Sequence, residues 1–404
     1  PAGAYYGAQT ARAVANFPIT GQRMRPEMIH SLALIKKAAA IVNRGAGTLD
    51  ARIADAITAA CDEVMAGKWS DQFPVDPIQG GAGTSANMNM NEVVANRAIE
   101  LLGGEKGDYS LVHPNDHVNC AQSTNDVYPS AGKLAAIRLL KPFNEALVAL
   151  QSALEDKALR FDGIVKVGRT QLQDAVPIRL GQEFRAYAAV VGRDRRRLQA
   201  AAEELRGLNL GGTAVGTGIN ASHGYIERIV GEVSHLSGER FVQAEDLIDA
   251  TQNADCYVAL SGALKACAVS LSKIASDLRL MSSGPLAGLG EIRLPARQNG
   301  SSIMPGKVNP VIPEVVNQIA FSVIGNDMTI ALAAESGQLE LNAFEPIIFH
   351  KLFESIATLT SGVRVLAERC VKGIQADEAR CRQLVERSAG VAAALCPIVG
   401  YTRA

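Results

Sequence analysis

A chain of 404 residues, 48% hydrophobic and 20% charged, has the composition of a folded protein with room for a large core, which excludes a disordered chain; its length predicts about two or three domains. Its 40 Lys and Arg nearly balance 41 Asp and Glu, so the formal net charge of -1 supplies no global field to recruit nucleic acid or an anionic membrane. The seven cysteines form no CxxC pair and fall in apolar stretches, which points to buried free thiols and a reducing compartment.

No run reaches the roughly 18 uninterrupted apolar residues of a membrane span, and the first residues lack the charged-then-apolar layout of a secretion signal. A soluble, cytoplasmic protein is therefore expected, with no membrane or nucleic-acid partner. The sequence opens at Pro1 without a Met and stops at Gly400-Tyr401-Thr402-Arg403-Ala404, so whether an end is missing stays open.

Apolar residues recur at helical spacing almost throughout. The spacing predicts helices over 27–43, 50–66 and 88–102, the last stopped by Gly103-Gly104. Beyond 142 the predicted helices lengthen, over 142–162, 179–207, 249–282, 311–336 and 345–372, several well past the roughly 11-residue mean of globular proteins. Long helices without a heptad repeat indicate a bundle. The stretch 249–282, apolar on nearly every side before Lys273, is expected to be buried all round. Strand candidates are few and short, at 164–167 and 292–294. The predicted fold class is all-α, with a helical N-terminal domain over 1–112, a long-helix bundle over 113–365 and a small helical remainder over 366–404. The basic run from Arg193 to Arg197, interrupted by Asp194, reads as a solvated helix face.

Dense small polar residues break this pattern in several places. Gln79-Gly80-Gly81-Ala82-Gly83-Thr84-Ser85-Ala86-Asn87 runs from a glycine turn into a helix, placing Thr84 near free N–H groups that attract anions, although an ordinary helix cap reads the same way. His113-Pro114-Asn115-Asp116-His117 spaces two histidines like metal ligands, but Pro114 opposes a continuous helix and no glutamate completes a zinc pattern. Ser123, Thr124 and Asn125 follow, neutral donors able to hold a carboxylate or to cap a helix. Gly168-Arg169-Thr170-Gln171-Leu172-Gln173-Asp174-Ala175-Val176-Pro177 reads as a short polar connection between long helices. Gly211-Gly212-Thr213-Ala214-Val215-Gly216-Thr217-Gly218 is expected to have no strand before it and has no acidic residue placed for a ribose, so it reads as a tight turn between helices.

The most informative segment is Gly300-Ser301-Ser302-Ile303-Met304-Pro305-Gly306-Lys307-Val308-Asn309-Pro310. It sets two hydroxyls, a cation and an amide between glycines and prolines, the make-up of a mobile loop that carries chemistry or of a plain connection. The glycine spacing and Val308 rule out a phosphate loop. No His accompanies the serines, so a Ser beside a Lys points to a base or to an anion pocket.

These segments, in this order, resemble the fumarase and aspartase superfamily over essentially the whole chain, from Tyr6-Gly7-Ala8-Gln9-Thr10 to Gly325-Asn326-Asp327 and beyond, and the 300–310 loop matches the family signature. The resemblance implies an elongated all-α fold and a homotetramer whose long helices form a twenty-helix core, with each active site built by three subunits. It implies Ser301 as the general base and Lys307 and Asn309 as holders of an aci-carboxylate intermediate. Thr84, Ser123, Thr124, Asn125, Thr170, Gln171 and Ser302 would bind substrate, and Glu314 would stand behind them. His113, Asn115 and Asp116 would match a secondary anion site. No cofactor is implied, and divalent-metal activation stays open. The segment 366–404 would begin a small C-terminal domain.

Within the superfamily the choice lies between elimination of ammonia from L-aspartate and hydration of fumarate to L-malate. Class II fumarases typically place His after Gly-Arg-Thr, where this chain has Gln171, which cannot titrate. Hydroxide needs protonation to leave, whereas an α-ammonium already carries its proton. Gln79 to Ser85, Phe73-Pro74-Val75-Asp76 and Pro310 to Gln318 also look aspartase-like, while His113 to Asp116 and Asn89 to Glu92 lean to fumarase. The expected reaction is therefore reversible release of ammonia from L-aspartate to give fumarate, with fumarase as the alternative and a silent structural member of the superfamily as a further one.

Overall fold

The structure, a computed structural model, describes residues 3–390, 392 and 396–401. In chain order its helices are α1 (Ala8–Asn16), α2 (Pro26–Gly45), α3 (Ala51–Met65), α4 (Thr84–Leu101), α5 (Thr124–Arg160), α6 (Leu180–Glu204), α7 (His223–Ser237), α8 (Asp249–Gln252), α9 (Asp255–Met281), α10 (Val311–Glu335), α11 (Glu345–Arg369), α12 (Glu378–Glu386) and α13 (Cys396–Val399). The strands are β1 (Val165–Thr170), β2 (Gln173–Arg179), β3 (Gly207–Leu208), β4 (Val242–Gln243), β5 (Ile292–Arg293) and β6 (Gln375–Ala376), which pair only two by two. The all-α class holds, with the strands reduced to ties between helices.

Two compact units interleave along the chain. The first comprises 3–140, 200–262 and 326–354, and the second 141–199, 263–325 and the described residues from 355 on. In the first unit α2 packs against α3 and α7, and α3 against α4. Leu32, Ile35, Ile57, Met90 and Val94 are wholly buried there. Each such side chain contributes about 1.5–3 kcal/mol. Asp50 caps α3 by accepting from the N–H groups of Arg52 and Ile53. In the second unit Leu150 and Leu154 of α5, Phe184 and Val191 of α6, Ile274 and Leu278 of α9, and Leu366 of α11 are equally closed off.

Three expectations need correction. Helix α5 begins at Thr124, not 142, and runs through both Pro129 and Pro142 for 37 residues. Pro142 deprives the helix of one N–H bond, and the buried residues on either side, Leu139 and Phe143, hold it together. The stretch 249–282 is broken at Asn253-Ala254 into α8 and α9, and α9 is covered on one face only, leaving Val269 and Leu280 exposed. Helices α1 and α7 were not predicted, although Ser222 caps α7 by accepting from Tyr225 N–H and Gly238 closes it in the left-handed conformation.

Helix α10 carries an uncovered apolar stripe. Phe321 and Met328 are each 64% exposed, and Ile324 and Leu332 continue the line at helical spacing. By length and composition alone, α9 and α10 are apolar enough to cross a membrane, a test that the core helices of soluble bundles also pass.

Candidate active site

In the second unit, the 300–310 segment is a loop drawn closed by its own atoms. Gly300 N–H donates to the Lys307 carbonyl at 2.8 Å, and the Asn309 side chain donates to the Gly300 carbonyl at 2.9 Å. A Cβ at Gly300 would lie 2.6 Å from the Lys307 carbonyl oxygen, so this crossing admits only glycine. Inside the loop, the backbone N–H groups of Ile303 and Met304 donate to Ser301 Oγ at 3.2 and 3.0 Å. Two donors aimed at one hydroxyl oxygen favour negative charge on it. Ser302, Ile303, Met304 and Lys307 are exposed, while Ser301 and Asn309 are half-buried.

Beside this loop lies a cavity of about 570 Å³ lined by Lys307, Asn309, Glu314, Arg279, Arg293 and Asp377, among others. Arg293 is committed to Asp377 at 2.6 Å, and Arg279 reaches Asn317 at 3.4 Å. Glu314 stands in the first turn of α10, half-buried at the cavity wall. Sequence reasoning found Lys307, Asn309 and Glu314 but missed Arg279 and Arg293, which look like ordinary surface cations until the fold brings them here.

Thr170 and Gln171, in the same unit, form the end of the β1–β2 hairpin. Thr170 pairs with Gln173, leaving Gln171 and Leu172 as a two-residue turn, and Thr170 and Gln171 are both exposed. The hairpin was expected to be a plain polar connection with a strand only at 164–167; the strand is longer and pairs with β2.

The remaining predicted binding residues lie in the first unit. Thr84 is the first residue of α4, with its hydroxyl donating to the Gly81 carbonyl at 2.7 Å. Gly83, at φ +89°, sits so close to the Tyr128 ring that a Cβ would come within 2.3 Å of it. Ser123 starts α5, its Oγ accepting from Asn125 N–H at 3.2 Å and its own N–H donating to Asp126 at 2.9 Å. Asn87 Nδ2 donates to Thr124 Oγ1 at 3.2 Å and to Asn119 Oδ1 at 3.1 Å, linking α4 to the start of α5. Asn125 Nδ2 donates to the Ala214 carbonyl at 2.8 Å. The structure thus gathers Thr84, Ser123, Thr124 and Asn125 around adjoining helix starts. These side chains serve the helix starts, and Thr84 is exposed while Ser123, Thr124 and Asn125 are half-buried.

Beneath them is a polar layer that the sequence did not announce. Lys36, fully buried in α2, donates to Asn119 Oδ1 at 2.8 Å and Gln122 Oε1 at 2.9 Å. Buried Asp126 accepts from the N–H groups of Gly211 and Thr213, both at 3.1 Å, which fixes the glycine loop as a tight turn against α5. Burial pulls the Lys36 ammonium down to about 7 and pushes the Asp126 carboxyl up to about 6, each partly offset by the charge of the other. A lysine within an apolar helical run was the available signal for Lys36.

Asn115 and Asp116 lie within a single turn of π-helix at Pro114–Val118, and His113 caps its start. His113 Nδ1 accepts from the N–H groups of Asn115 and Asp116 at 3.3 and 3.2 Å, and His117 Nδ1 accepts from His113 N–H at 2.8 Å. Both imidazoles therefore serve the local backbone, and the N–H groups that an anion would seek already meet the His113 ring.

This geometry can be set beside known proteins. The family model described as Lyase matches residues 1–325. An aspartate ammonia-lyase from Bacillus sp is 55% identical over 404 residues, covering 100% of this chain and 86% of that protein. The aspartate ammonia-lyase of Escherichia coli K12 is 50% identical over 404 residues, covering 99% of this chain and 84% of its own length. A crystal structure of fumarate lyase:delta crystallin from Brucella melitensis bound to cobalt superposes with a TM-score of 0.98 at 53% identity, covering 100% of this chain and 88% of that one. A class II fumarase from Schistosoma mansoni superposes at 0.97 with 37% identity and the same coverage. With the signature loop, the helical fold and these matches in agreement, the chain belongs to the fumarase and aspartase superfamily of lyases.

Proposed function

We propose that this protein is an aspartate ammonia-lyase, a carbon–nitrogen lyase that interconverts L-aspartate with fumarate and ammonia. The observation that carries the chemistry is the Ser301 hydroxyl, held by two N–H donors in a loop whose Lys307 and Asn309 line an adjacent cavity. As alkoxide, Ser301 takes a proton from the carbon next to one substrate carboxylate. The electron pair left behind spreads into that carboxylate, and Lys307 and Asn309 hold the resulting dianion. The pair then returns to form the carbon–carbon double bond while the carbon–nitrogen bond breaks, its electrons leaving with nitrogen as neutral ammonia. Thr84, Ser123, Thr124, Asn125, Thr170, Gln171 and Ser302 bind the other carboxylate and the ammonium, with Glu314 behind them. A serine is a poor base in water, so the loop must close and exclude solvent for this step.

The choice of ammonia over water rests on Gln171, which offers no acid to a leaving hydroxide, and on the aspartate ammonia-lyases that match the whole chain at 50–55% identity. Fumarase is kept as the second reading because the Schistosoma enzyme shares the fold at a TM-score of 0.97. We also infer a cytoplasmic homotetramer with each site shared by three subunits. The uncovered stripe Phe321, Ile324, Met328 and Leu332, and the exposed Ile303 and Met304 of the loop, support this reading, since apolar surface of that kind seeks a partner. A secondary anion site at His113, Asn115 and Asp116 would require the His113 ring to yield its N–H partners. The test is the absorbance of fumarate formed from L-aspartate and from L-malate. Fumarate from malate alone would overturn the choice, and turnover of neither would favour a silent structural member.

A further inference from the structure

The turn that presents Gln171 is held in a conformation its residues disfavour. Gln171 and Leu172 make the whole turn, with φ of 53° and 63°. Two-residue turns with positive φ at both positions usually employ Asn-Gly or Gly-Gly, because a Cβ crowds the backbone there, and a branched Leu is a poor fit. Such strain, about 1–3 kcal/mol per residue, persists only where the surroundings over-determine it.

That constraint lies along β1. Arg169, the residue before Thr170, places Nη1 2.8 Å from Glu291 Oε1. Lys166, three residues earlier across the register shift and 2% exposed, bridges Glu291 at 3.2 Å and Glu183 of α6 at 2.8 Å. Glu291 is wholly buried, and its backbone is pinned as well. Its N–H donates to the Met281 carbonyl at the end of α9, and its own carbonyl accepts from Asp377 N–H at the start of α12, both at 2.9 Å. Between Val167 and Arg169 the register shifts at Gly168, where a Cβ would lie 2.5 Å from the Val176 carbonyl oxygen. The bulge and the buried charges together fix the rotation of the hairpin end. Glu291 also directly precedes β5, the strand from which the chain runs on to Ser301.

Two bound cations and two carboxylates inside a protein are a costly way to obtain stability, since an apolar cluster of equal volume often does as well. We propose that Glu291 is a positioning residue which, through Arg169, sets the placement of Thr170 and Gln171 toward the substrate. This rests on the reading that Thr170 and Gln171 touch the substrate.

The test compares Glu291→Gln, Glu291→Asp and Arg169→Lys in the full chain, using whichever of L-aspartate and L-malate the wild type converts. Misplacing binding groups predicts a loss on the order of 10²-fold in kcat/KM for Glu291→Gln, dominated by a rise in KM. The inhibition constant of succinate, a saturated dicarboxylate, should weaken in parallel, and Glu291→Asp should recover part of both. Should Glu291→Gln fail to fold, Arg169→Lys decides, because it keeps the buried charge but loses the planar fork. It is expected to raise KM and the succinate constant together at an unchanged thermal midpoint. Wild-type KM and succinate affinity in Arg169→Lys, or a fall in kcat alone, would overturn the positioning role. Conversion of malate alone by the wild type would overturn the proposed reaction instead, and the variant ratios would still decide the role of Glu291.

Discussion

Asn309 Nδ2 donates to the carbonyl oxygen of Gly300 at 2.9 Å, tying together the two ends of the loop that carries Ser301 and Lys307. An amide in this place does two things at once: it shapes the loop and stands at the wall of the neighbouring cavity. Asn309→Ala is expected to loosen the loop and reduce kcat/KM on the order of 10²-fold, the usual cost of displacing catalytic groups by about an ångström. Limited proteolysis should then cut within 300–310 faster than in the wild type. Unchanged kinetics together with unchanged cleavage would remove the tie from the account of the loop.

Lys307 lines the cavity beside the loop, and in the proposed reaction it would meet the substrate carboxylate before reaction and its more charged form afterwards. Lys307→Ala should therefore raise KM and lower kcat together, since both ground-state and transition-state contacts are lost. Steady-state rates over a range of L-aspartate concentrations measure both, and a variant normal in both parameters would place Lys307 outside the site.

Glu345 supplies a pH prediction in the first unit. Burial pushes its carboxyl from 4.5 up to about 8, with the Lys133 ammonium only partly offsetting the cost. The folded state thus holds this proton more tightly than the unfolded chain does. Its contribution to stability is complete below about 4.5 and is lost as pH rises through about 8. Glu345→Gln removes the dependence, so the midpoint of the variant should gain on that of the wild type from pH 5 to pH 9, as read by thermal melts at matched ionic strength. A constant difference across that range would mean that Glu345 does not titrate in this way.

Gly132 lies inside α5 against Phe349, where a Cβ would come within 2.0 Å of the ring. The ring has little room to withdraw, being stacked on Phe353 with centroids 5.6 Å apart and edge-on to Tyr257 at 5.0 Å. Gly132→Ala should gain about 1 kcal/mol of helix propensity but lose more to overpacking, for a net destabilisation of roughly 1–2 kcal/mol. Denaturant unfolding measures the balance, and a more stable variant would show that the ring yields.

The long helices were legible because apolar spacing survives over many turns, and the boundaries of α6, α10 and α11 fall close to the expected ones. The start of α5 was not, since Ser123 to Asp126 and the two prolines look like loop and helix-start signals. Only tertiary burial at Val127, Tyr128, Leu139 and Phe143 carries the helix through them. The β1–β2 hairpin was hidden for a related reason: its turn uses Gln171 and Leu172 where a glycine would have announced it. The loop residues Ser301, Lys307 and Asn309 could be read from one contiguous segment. Glu291, Arg279 and Arg293 could not, because each acquires its meaning from residues far along the chain, and Lys36 showed only as a lysine within an apolar run.

The most direct test is fumarate formation from L-aspartate by the wild type and Ser301→Ala, side by side, with succinate binding measured on both. Fumarate should appear with the wild type, and Ser301→Ala should lose nearly all turnover while binding succinate about as well. Full activity in Ser301→Ala, or no fumarate from L-aspartate with the wild type, would contradict the assignment of Ser301 as the base of an aspartate ammonia-lyase.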